Sequence, residues 1–176
     1  MTDRLLLVGM MAVGKTTVGE RCAKRLGWTF LDSDAQLKAD TGRGAQEIFD
    51  TEGDQALRAL ESRVLAEAIA HRVPVVVAVA GGAVLSPESR ELLVRSGVVV
   101  WLRASVETMS ERVARGGPRP RLGDDPAHSI RDLYLTRRPL YASVASLVID
   151  VDELSAEEVV DRILVGTGLS DEQPAR

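Results

Sequence analysis

The segment Gly9-Met10-Met11-Ala12-Val13-Gly14-Lys15-Thr16 satisfies the pattern G-x-x-x-x-G-K-[ST] at every fixed position. Residue types at this spacing cradle phosphate oxygens. Gly9 lets the chain turn sharply, and Gly14 lets backbone N–H groups approach an anion without an intervening Cβ. Lys15 can reach the β- and γ-phosphates of a nucleotide, and the Thr16 hydroxyl can ligate Mg²⁺. The candidate nucleotide contacts are therefore Gly9, Ala12, Val13, Gly14, Lys15, Thr16 and Thr17. A chance glycine-rich turn would carry the same letters, but it would not have a strand before it and a helix after it.

Two further carboxylates stand close together. Asp32 and Asp34 flank Ser33 at the end of an apolar stretch. In an extended segment alternation would put both side chains on one face, at the carboxyl edge where ligands of α/β domains bind. One could hold a metal-bound water while the other takes a proton from an acceptor hydroxyl. Alternatively, Asp32 ends the strand and Asp34 caps the next helix.

The elements that must position these residues follow from hydrophobic patterning. Short apolar runs at 4–8, 28–31, 75–80, 98–102 and 147–150 are expected strands. The continuous β-branched runs at 75–79 and 98–100 suit strands covered on both faces. Residues 15–26 and 55–71 are expected helices, the second repeating apolar residues at Leu57, Leu60, Val64, Leu65 and Ala68. Ser86-Pro87 is an N-cap with proline at the first helical position, and Ser155 to Glu158 has capping-box spacing. Strands separated by helices imply a parallel sheet in a three-layer α/β domain. Residues 116–125, rich in Gly, Pro, Arg and Asp, are expected to form a loop suited to closing over a ligand. Residues 166–176 are expected to be a flexible tail.

Composition narrows the class. The 176 residues are 45% hydrophobic and 27% charged, as in ordinary globular domains. A net charge of −4 argues against general nucleic-acid or membrane-surface binding. With lysine only at positions 15, 24 and 38, arginine supplies most of the positive charge. The arginines between 112 and 138 suit a small ligand bearing phosphate or carboxylate. Cys22 is the one cysteine and cannot form an internal disulfide, so a cytoplasmic protein is expected. No apolar run approaches the roughly 20 residues that span a bilayer. His71 and His128 are isolated, so no metal besides nucleotide-bound Mg²⁺ is expected. A GTPase would need an N/TKxD sequence, which is absent, and the third strand ends in Ala80-Gly81-Gly82 rather than in a Walker B carboxylate. A small-molecule kinase is the class that is left.

In order and spacing, Gly9 to Thr16, Leu31-Asp32-Ser33-Asp34, Arg58 with Glu61, Gly81-Gly82-Ala83, Arg119-Pro120 and Arg137-Arg138-Pro139-Leu140-Tyr141 resemble the shikimate kinases. The likeness runs from Leu5 to Ile163. It implies a P-loop domain over residues 1–165 with a five-stranded parallel sheet in order 2-3-1-4-5. An acceptor-binding region near 33–61 and a lid near 112–125 are implied with it. The implied reaction is ATP-dependent phosphorylation of the shikimate ring 3-hydroxyl, giving shikimate 3-phosphate and ADP on the route to chorismate and the aromatic amino acids.

Carried over by position, Lys15, Asp34 and Arg119 would be catalytic, with Asp34 the base that also holds the acceptor hydroxyl. Arg58 and Arg137 would clamp the shikimate carboxylate, and Gly81 and Gly82 would offer it backbone N–H groups. Arg112 would stack on adenine, Arg119 would close onto the transferring phosphoryl group, and Thr16 and Asp32 would organise Mg²⁺. A monomer acting on ATP and shikimate is expected, with neither nucleic acid nor membrane as partner. Each arginine also has a simpler reading: Arg58 and Glu61 as a surface ion pair, Arg137 and Arg138 as cations at a helix end. A kinase for another hydroxylated acid, such as a gluconate-type acceptor, and a non-catalytic nucleotide-binding module stand as alternatives.

Against the family pattern, Ala80 replaces the first of three glycines, Ala12 a frequent glycine, Leu57 a phenylalanine of the acceptor pocket and Arg121 a leucine. Asp152-Glu153-Leu154 occupies the region of an adenine-contacting arginine.

Overall fold

Strand β1 (Arg4–Val8) is the centre of the domain because its apolar run can be covered on both faces. Leu5, Leu6 and Leu7 are fully buried. Parallel to β1 lie β3 (Val75–Ala78) on one side and β4 (Val98–Arg103) on the other. Edge strands β2 (Thr29–Asp32) and β5 (Leu147–Asp150) complete a five-stranded sheet in order β2-β3-β1-β4-β5. The order is the one the family resemblance implied. The computed structural model describes residues 3–116, 122–123 and 125–169.

Among the described residues, seven α-helices connect and cover the strands: α1 (Lys15–Leu26), α2 (Ser33–Thr41), α3 (Ala45–Ala70), α4 (Pro87–Ser96), α5 (Val106–Arg115), α6 (Pro126–Val144) and α7 (Ala156–Thr167). A 3₁₀ turn at Ala83–Leu85 leads into α4. Ser86 caps α4 by accepting from the Ser89 N–H, and Ser155 and Glu158 form the expected capping box of α7. Helix α7 runs through Thr167 and stops at Gly168 in the left-handed conformation, so the helix includes the first residues assigned to the tail.

Several expected boundaries move. The second strand starts at Thr29 rather than Trp28, and the third ends at Ala78, although Val79 and Ala80 stay buried. The helix expected from residue 55 begins at Ala45, and Gly53 (φ 86°, ψ 176°) interrupts it with a backbone state open essentially to glycine. Periodicity had to be read separately on either side of that break. Helix α6 continues through Pro139 to Val144, so Arg137 sits inside a helix and not at its end.

Two apolar clusters result. The larger one fills both faces of the sheet and includes Cys22, Trp101 and Tyr141. Burial pushes the Cys22 thiol up to about 12, so it behaves as a small hydrophobe. The smaller cluster, Leu37, Ile48, Leu57 and Val64, lies within α2 and α3 and gives that helical pair a core of its own. Among the described residues, no helix is long and apolar enough to cross a membrane.

Candidate active site

The loop between β1 and α1 is anchored by Met10 and Val13, which are buried at 1% and 2% exposure. Gly9 (φ 145°) passes so close to the Leu102 carbonyl that a Cβ would collide with it. Gly14 (φ 94°) and Ala12 (φ 61°) are left-handed. For alanine that conformation costs about 1–2 kcal/mol, which explains glycine's advantage at position 12. Lys15 folds back over the loop, its Nζ donating to the carbonyls of Gly9 (2.9 Å) and Met10 (2.8 Å). Thr16 and Thr17 are exposed in the first turn of α1. The helix N-terminus, the loop amides and one ammonium thus converge on a single place where an anion can sit.

Asp32 and Asp34 do not take the alternating geometry of an extended strand. Asp32 is itself the N-cap of α2, its Oδ1 accepting from the N–H groups of Asp34 (2.9 Å) and Ala35 (3.1 Å). Asp34 is therefore in the first helical turn and does not cap it, contrary to both sequence-based readings. The second oxygen of Asp32 accepts from the Thr16 hydroxyl at 2.6 Å. One carboxylate thereby ties the end of β2 to the phosphate loop. The pair presents two oxygen donors of the kind a hard divalent cation prefers.

The other edge of the cleft forms where β3 gives way to glycine. A Cβ on Gly82 would run into the Arg58 guanidinium and Glu61, and one on Gly81 would lie 3.3 Å from the Gly9 carbonyl and 3.8 Å from Arg137 Nη1. The glycines let the backbone pass between the phosphate loop and the arginines. Arg58 donates to Glu61 (2.5 Å) and Asp54 (2.7 Å). With side-chain exposures of 14% and 5%, the Arg58–Glu61 pair is no surface ion pair. Arg137 is 6% exposed, which removes the helix-end reading as well. Burial pushes the Glu61 carboxyl up, and nearby Asp34 adds to this, while Arg58 and Arg137 oppose it. Burial also works against the Arg58 charge, but Glu61 and Asp54 outweigh it and raise its pKa. Asp34, Arg58 and Arg137 accordingly all lie close enough to Glu61 to act on its charge.

On the far side of the phosphate loop, Arg112 donates to the carbonyls of Ala12 and Val151, both at 3.2 Å. Asp152 accepts from the Ser105 N–H and hydroxyl, each at 2.9 Å. Burial opposes its charge, but bonds from Thr108 and Ser105, with Arg112 nearby, hold its carboxyl below the usual range. The stretch that lacks the family's arginine is thus fastened to the β4–α5 connection.

Arg119 and Arg121 lie outside the described residues; elsewhere in the expected lid, residues 112–115 are the last turn of α5, Leu122 is buried and Asp125 caps α6. Ala80 is buried at 3%. Leu57 is fully buried in the small α2–α3 core, so it presents no face to the cleft as a pocket-lining phenylalanine would.

Two groups went unassigned in the sequence: Glu61, set aside as half of a surface pair, and Tyr141. The usable signal for Tyr141 was its position four residues after Arg137, but Pro139 between them suggested that the helix had ended.

The chain is similar to known proteins over most of its length. The shikimate kinase family model matches residues 11–166. A shikimate kinase of Symbiobacterium thermophilum is 44% identical over 163 residues, covering 91% of this chain and 93% of the relative. Among solved structures, shikimate kinase from Acinetobacter baumannii, in complex with shikimate, superposes with a TM-score of 0.86 at 39% identity, covering 92% of this chain and 90% of that one. The enzyme from Bacteroides thetaiotaomicron gives 0.88 at 28% identity, covering 94% and 98%. With the family model spanning residues 11–166 and a relative 44% identical across 91% of the chain, the chain belongs to the shikimate kinase family.

Proposed function

We propose that the chain transfers the γ-phosphoryl group of ATP to the ring 3-hydroxyl of shikimate, giving shikimate 3-phosphate and ADP. The observation that carries this reading is the convergence of Asp34, Arg58 and Arg137 on Glu61, with Gly81 lying between Arg137 and the Gly9 carbonyl that Lys15 bonds, within a chain 44% identical to a shikimate kinase. Paired guanidiniums hold a carboxylate in fixed orientation, which places the ring. The N–H groups of Gly81 and Gly82 add donors at the same edge. Asp34 holds the 3-hydroxyl and accepts its proton as the oxygen attacks the γ-phosphorus in line and the bond to ADP breaks. Lys15 leaves the Gly9 and Met10 carbonyls for the phosphates and neutralises charge there. Arg119 closes onto the transferring group, and Arg112 stacks on adenine.

Thr16 and Asp32 would hold Mg²⁺, since a hydroxyl and a carboxylate joined by one short hydrogen bond form an all-oxygen donor pair. When bound, the cation supplies charge neutralisation at the phosphates. The protein is proposed to act as a cytoplasmic monomer on these two small molecules.

The test is ADP release by the purified protein with MgATP and shikimate, beside quinate and gluconate. Release that depends on shikimate is expected. Release with gluconate alone would overturn the acceptor assignment, and nucleotide binding without turnover on any acid would make the chain a non-catalytic module.

A further inference from the structure

A fully buried hydroxyl needs hydrogen-bond partners, and Tyr141, with no exposed surface, finds both of its partners in the acceptor site. Its Oη donates to the Gly81 carbonyl at 2.7 Å and accepts a hydrogen bond from the Arg137 side chain. Tyr141 follows Arg137 by four residues on α6, so the two side chains share one helical face. The ring cannot drift: it stacks on Trp101 with centroids 5.7 Å apart, and the Arg103 guanidinium lies 5.5 Å from the Trp101 ring. A ring clamped in this way makes its hydroxyl a fixed reference point.

From that point two orientations are set. A trans peptide directs its carbonyl and its N–H to opposite sides. Drawing the Gly81 carbonyl toward α6 therefore turns the Gly82 N–H away from α6. The same oxygen takes one donor of the Arg137 guanidinium and leaves the remaining ones oriented for a ligand.

We infer that Tyr141 is a positioning residue of the acceptor site, its hydroxyl fixing together the Arg137 guanidinium and the Gly81–Gly82 peptide. The inference rests on the proposed role of Arg137 as a carboxylate clamp. Burial pushes the phenol up to about 12, so the group stays a donor across the working pH range.

Tyr141→Phe keeps the ring and its stacking and removes only the hydroxyl. The expected result is a KM for shikimate raised about tenfold, with kcat and the KM for ATP little changed. Arg137→Ala is the companion variant. If it leaves the KM for shikimate unaltered, the clamp reading itself fails. If it raises that KM while Tyr141→Phe does not, the clamp stands and the positioning role is overturned. A lower Tm with an unchanged KM would make Tyr141 a packing residue and also overturn it.

A second measurement needs no substitution of Tyr141. The chain has 2 tyrosines, so 3-fluorotyrosine labelling gives two ¹⁹F signals, which Tyr134→Phe assigns. Shikimate alone should shift the Tyr141 signal as its carboxylate draws on Arg137, and a signal unmoved at saturation would refute the coupling.

Discussion

The Thr16 hydroxyl donates to Asp32 at 2.6 Å while the other oxygen of that carboxylate caps α2. One side chain thereby joins α1 to the α2–α3 helical pair. The two jobs can be separated. Asp32→Ala should lose the cap, about 1 kcal/mol, and with it about 2–4 °C of Tm. It should also raise the Mg²⁺ concentration needed for half-maximal rate. Asp32→Asn keeps a capping acceptor and should restore Tm without restoring the Mg²⁺ response. Thermal melts and a Mg²⁺ titration of activity check both, and an unaltered titration in both variants would remove Asp32 from the metal site.

Asp34 lies in the first turn of α2, where its electrostatic effect reaches Glu61. As the proposed proton acceptor, its conversion to asparagine should cut kcat by about 10²–10⁴. ATP affinity, which depends on the loop before α1, should stay nearly constant. Steady-state kinetics with each substrate varied would show the split, and a near-normal kcat would mean that the proton goes elsewhere.

Gly82 has no room for a methyl group, because Arg58 and Glu61 occupy the space a Cβ would take. Gly82→Ala should therefore push the Arg58–Glu61 pair aside and raise the KM for shikimate, with the KM for ATP unaffected. If ATP binding suffers equally, the displacement spreads to the phosphate loop through Gly81, which is next to Gly9.

Glu61 offers a pH signature. Burial raises its carboxyl above the usual value, Asp34 adds to the rise, and Arg58 and Arg137 counter it only in part. The folded chain therefore holds this proton more tightly than the unfolded chain does. The resulting stability is complete below the ordinary glutamate pKa of 4.5 and is lost as pH rises through the higher folded value. Relative to Glu61→Gln, the wild-type protein should have its largest Tm advantage at the acidic end and lose it toward neutral pH. An advantage that grew with pH would show that the Arg58 pairing outweighs burial.

Much of this architecture was legible in residue patterns. The phosphate loop, its strand and its helix announce themselves because glycine, lysine and threonine at that spacing have few other uses. The parallel sheet followed from β-branched runs such as 75–79. Other features depended on tertiary context. Whether Arg58–Glu61 is a solvated pair or a buried one cannot be told from i, i+3 spacing, since burial is decided by Gly82 passing over it. Asp32 as the cap, rather than Asp34, turned on a single residue of strand end. Pro139 concealed the continuity of α6, and with it the relation of Tyr141 to Arg137.

Leu37, Ile48, Leu57 and Val64 pack α2 and α3 against each other, while Leu65, Ala68 and Ile69 near the end of α3 join the cluster that covers the sheet. Helix α3 is accordingly fastened to α2 along most of its length and to the sheet only near its C-terminal end. Leu57 lies in the part packed with α2, so a change in its volume would be felt by that helical pair before it reached the sheet.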